Sequence, residues 1–146
     1  MTAIRPFNLP IPGLDELQAE ASAEGFHFID TLVEQWASAE NRFDHPGEIL
    51  LGVIENHILI AVGGLNCDPF RNDPSIGRIR RVYVRRAWRS RGLGGILVTA
   101  LLDHARLHFH SVRLRAVNPN AARLYERLGF VRIDDPNATH ILGFSG

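Results

Sequence analysis

Val82-Tyr83-Val84-Arg85-Arg86-Ala87-Trp88-Arg89-Ser90-Arg91-Gly92-Leu93-Gly94-Gly95 is the stretch on which the fold turns. A β-branched and aromatic run, an arginine-rich turn and glycines ahead of an apolar periodic segment make a strand, a turn and a helix start. Glycine lets backbone N–H groups approach a ligand closely. The first turn of a helix adds unpaired N–H donors and a dipole that favours anions. A diphosphate is the natural guest, and Arg89 and Arg91 can add charge-assisted bonds to it. A P-loop would need Gly-Lys-Ser/Thr, which a chain without lysine lacks, and Gly92-Leu93-Gly94-Gly95-Ile96-Leu97 has no third glycine for a dinucleotide fingerprint.

Upstream, Ile79 to Val84 reads as a strand, preceded by an irregular loop marked by Asp68-Pro69 and Asp73-Pro74. Ile79 and Val82 are both apolar but three apart, so a β-bulge at Arg80-Arg81 would restore the inward face. Two apolar runs, Glu48–Glu55 and Ile58–Leu65, flank Asn56-His57 as a hairpin. Residues 41–47 form a loop. Before it, one helix covers Leu14–Ala23 and ends at Gly25, and Asp30 caps another through Leu32, Val33 and Trp36. Downstream, a helix runs from Leu93 to about His108, and Val112, Leu114 and Ala116 alternate with Arg113 and Arg115 as a strand. Asn118-Pro119 opens a further helix that Gly129 closes, and Phe130–Ile133 with Thr139–Phe144 forms a closing hairpin. The order α-α-β-β-β-α-β-α-β-β defines a mixed α/β (α+β) fold, expected as one domain over residues 1–146.

The chain has 16 basic and 16 acidic side chains, a formal net charge of zero, and every basic one is arginine. Residues 1–70 hold 11 acids against two arginines, while residues 71–146 hold 14 arginines against five acids. The basic half carries the anion-binding stretch. The acidic half supplies helices and a hairpin, and acids there could border the same site and draw in a cationic ligand. With 45% apolar and 22% charged residues the chain is a folded protein that needs no staples. No apolar run approaches a membrane span, and Met1-Thr2-Ala3-Ile4-Arg5-Pro6 lacks a signal-peptide pattern, so a cytoplasmic location is expected. Cys67 is the single cysteine, which excludes an intrachain disulfide and a multi-cysteine metal site.

Arg89-x-x-Gly92-x-Gly94 after a strand ending in Val84 resembles the acyl-CoA pyrophosphate loop of the GNAT-type N-acetyltransferases. Asn118-x-x-Ala121-x-x-Leu124-Tyr125-Glu126-x-x-Gly129-Phe130 is similar to that family's closing signature. The pair is more specific than either part, and the resemblance covers about residues 48–144. It implies a single-domain GNAT fold, with a mostly antiparallel sheet whose central strands splay apart. It also implies transfer of an acetyl group from acetyl-CoA to a primary amine, on a small molecule or a peptide, in a ternary complex and without a metal. By the same resemblance, backbone groups of Val82, Tyr83 and Val84 pair with the pantetheine arm. The amides of Arg89, Ser90, Arg91, Gly92, Leu93, Gly94 and Gly95 hold the diphosphate. Asn118 bonds the pantetheine and Tyr125 protonates the departing thiolate, a role a phenol can fill. Many relatives carry Glu early in the strand where this chain has Arg78, so no general base carries over. Glu48, Glu55, Asp68, Asp73 and His140 are the candidates from neighbouring elements.

Rival readings rest on thinner patterns. His104 and His108 stand one helical turn apart, but no carboxylate at matching spacing completes a metal site. Cys67 has no paired base, and Trp36 and Trp88 read as packing residues. Seven arginines from Arg78 to Arg91 permit a nucleic-acid module, ranked below acyl-CoA because the acidic half repels a long polyanion. A catalytically silent acyl-CoA-binding module is the third class, and a homodimer is compatible with a chain of this size.

Overall fold

The computed structural model describes residues 2–144. In chain order its elements are β1 (Thr2–Pro6), α1 (Leu14–Ala23), α2 (Phe28–Ala37), β2 (Ile49–Glu55), β3 (Ile58–Cys67), β4 (Ile76–Val84), α3 (Leu93–Arg106), β5 (Ser111–Leu114), α4 (Pro119–Arg127), β6 (Val131–Arg132) and β7 (His140–Gly143). Asn56 and His57 both take left-handed φ, 51° and 70°, which matches the twist of a two-residue hairpin joining β2 to β3. Among the described residues the sheet has seven strands in the order β1-β2-β3-β4-β5-β7-β6, and only β4 and β5 run parallel.

Helices cover both faces. Leu97 and Leu101 of α3 and Tyr125 of α4 pack with Val53, Ile60 and Ile79 on one side, while Leu17, Ile29 and Leu32 of α1 and α2 pack with Leu50, Leu59 and Val62 on the other. Leu97 and Leu101 are fully buried, and each such side chain stabilises the fold by roughly 1.5–3 kcal/mol.

The bulge in β4 falls where the apolar spacing placed it. The register against β3 shifts between the Val62–Tyr83 and Gly64–Arg80 pairs, and Arg81 sits at φ 62°. Ile79, Val82 and Val84 consequently contact the same core cluster, while Tyr83 belongs to the opposite one. One extra residue has switched the side-chain parity of the strand.

Three features differ from the sequence reading. β1 was not expected: four of its five residues are exposed and it ends in Pro6, so it carries no alternating apolar face, as suits a short edge strand. α2 begins at Phe28, ahead of Asp30. The Asp30 carboxylate accepts a hydrogen bond from Gln18 of α1 at 2.9 Å and acts in the packing of two helices instead of as a cap. The turn after β4 contains a 3-10 helix, Arg86–Trp88, before Ser90 and Gly92 reverse the chain at φ 65° and 76°.

Candidate active site

β4 and β5 remain paired only from Ile76–Ser111 to Arg78–Arg113. β5 stops at Leu114 while β4 continues to Val84, so β4 from Ile79 onward presents a backbone edge with no strand beside it. The gap opens into a cavity of about 630 Å³, bounded by β4, the start of α3 and α4. A second cavity of about 350 Å³ shares Val82, Tyr83, Val84 and Gly94 with it and extends along β4 toward Arg78.

The start of α3 forms one wall. Gly92 is its N-cap at φ 76° and offers no side-chain oxygen, so the amides of Leu93, Gly94 and Gly95 have no intrahelical acceptor, and these residues line the larger cavity. A Cβ on Gly94 would sit 3.5 Å from Leu124 and 3.9 Å from Val84, ordinary contact distances. The protein itself has room for a side chain there.

Arg89 is engaged by the protein. Its NH1 and NH2 donate to Glu24 Oε2 and Oε1 at 2.9 and 2.6 Å, its Nε donates to the Val84 carbonyl at 2.9 Å, and it stacks 5.3 Å from the Tyr83 ring centre. Those bonds from Arg89, with help from the Tyr83 hydroxyl, hold the Glu24 carboxyl down at a pKa of about 2. Tyr83 donates to Glu20 Oε2 at 2.8 Å and lies against Glu24 Oε1, and burial with those two carboxylates pushes its pKa up. The end of α1 is thereby tied to the turn that carries the glycines.

α4 forms the facing wall. Asn118 Oδ1 accepts from the Ala121 amide at 2.8 Å, capping the helix that Pro119 begins, and Asn118 lines the larger cavity. Tyr125 is 7% exposed, packs edge-on against Phe130 and lines the smaller cavity. Among the described residues its hydroxyl has no hydrogen-bond partner, and burial raises its pKa to about 12. At neutral pH it holds a proton.

Ten of the sequence-derived positions, Val82 to Val84, Arg89, Ser90, Gly92 to Gly95 and Asn118, line the larger cavity together. Arg91 is exposed and lies outside both linings. Phe26 ahead of α2, Phe28 at its start, and Arg123 and Arg127 from α4 also line it. The two arginines stand four apart on a helix and were legible as a same-side pair, whereas nothing local in the α2 segment signals that it reaches the cleft.

Of the candidate bases, His140 is fully buried and bonded to Glu126 Oε2 at 2.8 Å and Thr139 Oγ1 at 2.7 Å. Glu55 accepts from the Trp88 indole at 2.6 Å, Asp68 is buried against Arg78 and Arg113, and Asp73 accepts from Ser75 in an exposed turn. Glu48 lines a third cavity, where it accepts from the Cys67 amide at 2.9 Å. None of the five lines either part of the cleft. The expectation that acids of the N-terminal half border an acceptor is not met at the smaller cavity, whose lining contains no acid. Those acids serve the basic half instead: Glu20 and Glu24 pair with Arg85, Arg86 and Arg89. Three arginines of the run are thus engaged within the protein.

The family model for the acetyltransferase (GNAT) family matches residues 13–130, most of the chain. The chain belongs to the GNAT family. Its fold is similar to that of a protein from Exiguobacterium sp. 255-15 assigned to the acetyltransferases, with 26% identity over 98% of this chain and 93% of that one and a TM-score of 0.87. A GNAT acetyltransferase from Staphylococcus aureus Mu50 matches at 15% identity, 98% and 99% coverage and a TM-score of 0.74. A structure of the NatC complex bound to Gag peptide and CoA matches at 20% identity, 99% of each chain and a TM-score of 0.69. No curated protein sequence matches the chain. Within this GNAT chain the glycine turn, the open β4 edge and the closing helix α4 meet at one cleft, although the two motifs lie more than 20 residues apart. No helix among the described residues is long and apolar enough to cross a membrane, and no group of three or more potential metal ligands occurs among them.

Proposed function

We propose that this GNAT protein is an N-acetyltransferase that moves an acetyl group from acetyl-CoA to a primary amine in a ternary complex, as one domain spanning residues 1–146. The observation that carries the reading is the continuous cleft, with an uncapped helix N-terminus at one end, an open strand edge along it and a buried, unpartnered phenol at the other. Its residues fit the donor. The amides of Leu93, Gly94 and Gly95 suit a diphosphate, the open backbone of Val82 to Val84 suits the amides of a pantetheine arm, and Asn118 keeps its side-chain nitrogen for the same arm. Acetyl-CoA supplies the acetyl group as a thioester; its carbonyl carbon forms the new C–N bond while its C–S bond breaks.

Tyr125 gives its proton to the sulfur as that bond breaks, and regains one from the nitrogen through solvent, so that amide and free thiol are the products. Its pKa of about 12 fits an acid and opposes a resting phenolate. Direct transfer is favoured over a covalent enzyme step because burial, and then the charge of Glu48, push the Cys67 thiol pKa up. A lone cysteine also suits a reducing compartment, so the proposal includes the cytoplasm. Calorimetry with acetyl-CoA should show saturable one-to-one binding, and absence of heat at millimolar ligand would remove the donor assignment. Free-thiol release with a panel of amines tests transfer; binding without release from any amine would instead favour a silent acyl-CoA-binding module.

A further inference from the structure

The smaller cavity holds a charge imbalance that a simple amine acceptor does not account for. Arg78, Arg80, Arg81 and Arg115 line it, and no acidic side chain does. Arg78 is 6% exposed; its NH2 donates to the Asn137 carbonyl at 2.7 Å, but its NH1 has no hydrogen-bond partner and lies 3.8 Å from Asp68 Oδ2. That carboxylate is already shared with Arg113 at 3.3 Å. Arg80 and Arg81 form no ion pair among the described residues, and the Nε of each is buried without a hydrogen-bond partner. Arg81 reaches only the neutral Gln35 side chain, at 3.2 Å. Burial, with Arg80 and Arg78 adding to it, lowers the Arg81 pKa to about 10.

Collecting guanidinium groups in a partly desolvated cleft is unfavourable unless an anion completes the site. The bulge that brings Arg80 and Arg81 to the cavity also holds Arg81 at a positive φ that a non-glycine residue seldom adopts, a second local expense met at the same place. Planar guanidinium groups suit carboxylate and phosphate oxygens alike.

We infer that the acceptor is a small amine carrying its own anionic group, a carboxylate or a phosphate-like group, held by Arg78, Arg80 and Arg81 with the amine turned toward Tyr125. The inference rests on the N-acetyltransferase reading above and adds the class of substrate. A cavity of about 350 Å³ suits a molecule of amino-acid size.

The test offers amines in matched pairs at saturating acetyl-CoA: amino acids against their carboxamides, aminoalkylphosphonates against amino alcohols, and diamines as cationic controls. The anionic member of a pair should be favoured by roughly tenfold or more in kcat/KM, and the carboxylate and phosphonate arms tell which anion the site takes. Arg81→Gln should erase that preference by raising KM for the anionic amine, with acetyl-CoA affinity unchanged by calorimetry, and Arg81→Lys should retain part of it. If Arg81→Gln does not fold, the preference of the wild-type protein decides alone. Equal use of both members, a preference for neutral or cationic amines, or a preference that survives in folded Arg81→Gln overturns the inference. So does the absence of both turnover and calorimetric binding for every anionic amine at millimolar concentration while acetyl-CoA still binds. Loss of acetyl-CoA binding by the wild-type protein is a separate failure, that of the acyltransferase reading, and takes this inference with it.

Discussion

Gly92 and Gly94 belong to one motif and meet different needs. Gly92 stands at φ 76°, where any side chain is strained, so its replacement disturbs the turn whether or not a ligand binds. Gly94 has no such φ and room for a Cβ, which makes it the cleaner probe of the cleft. Gly94→Asp should therefore melt close to the wild-type temperature yet lose acetyl-CoA binding in calorimetry, because its charge sits where the diphosphate is expected. A Gly94→Asp protein that binds acetyl-CoA normally would displace the diphosphate from this turn. Tyr125 is a residue whose role sequence could not separate from packing, since Ala121, Tyr125 and Leu128 share a helix face. Its unpartnered hydroxyl fits the proposed acid role, and one substitution separates the two. Tyr125→Phe keeps the ring on Phe130 and should lower kcat by about a hundredfold while leaving acetyl-CoA affinity intact; an unchanged kcat would reduce the residue to core.

Among the elements, β4 does the most to shape the cleft, through a bulge that switches its faces and an end that outruns β5. The bulge was legible because two apolar side chains three apart cannot share a face of a regular strand. The tie between α1 and the glycine turn was not legible: Glu24 and Arg89 lie 65 residues apart, Glu24 reads locally as an ordinary surface charge and Arg89 as a partner for a diphosphate. That tie has a consequence in acid. A carboxyl whose pKa falls from 4.5 to about 2 on folding contributes stability that is present above about pH 4.5 and lost as pH drops toward 2. Glu24→Gln should accordingly have a lower urea midpoint than wild type near neutral pH, and the gap should close between about pH 4.5 and 2. A gap independent of pH would show that the carboxylate charge is not what holds the two elements together.

Across the whole molecule, the acidic and basic halves of the chain interlock. Glu20 with Arg85 at 3.4 Å, Glu24 with Arg89 at 2.6 Å and Asp68 with Arg113 at 3.3 Å each join one half to the other. The Arg113 contacts to Asp68 and Asp135 are short but off-axis, so the pairing is coulombic without a well-formed hydrogen bond. Asp68, with a fully buried side chain between Arg78 and Arg113, is the most exposed to loss of balance. Asp68→Asn leaves buried Arg78 without a carboxylate and Arg113 with Asp135 alone, and should lower unfolding stability in urea by about 3–5 kcal/mol; a change within measurement error would mean those arginines find other partners. Periodicity and turn residues were enough to read nearly every element, because these are local patterns or short backbone rules, and two spaced motifs carried the resemblance that named the family and ten of the residues that line the larger cavity. Only the tertiary structure decided where the charges go. It placed Glu20 and Glu24 beside the arginines of the glycine turn, left the smaller cavity to arginines and kept His140 and Asp68 out of the cleft's lining, because ion pairing depends on proximity in space and nothing in chain order encodes that.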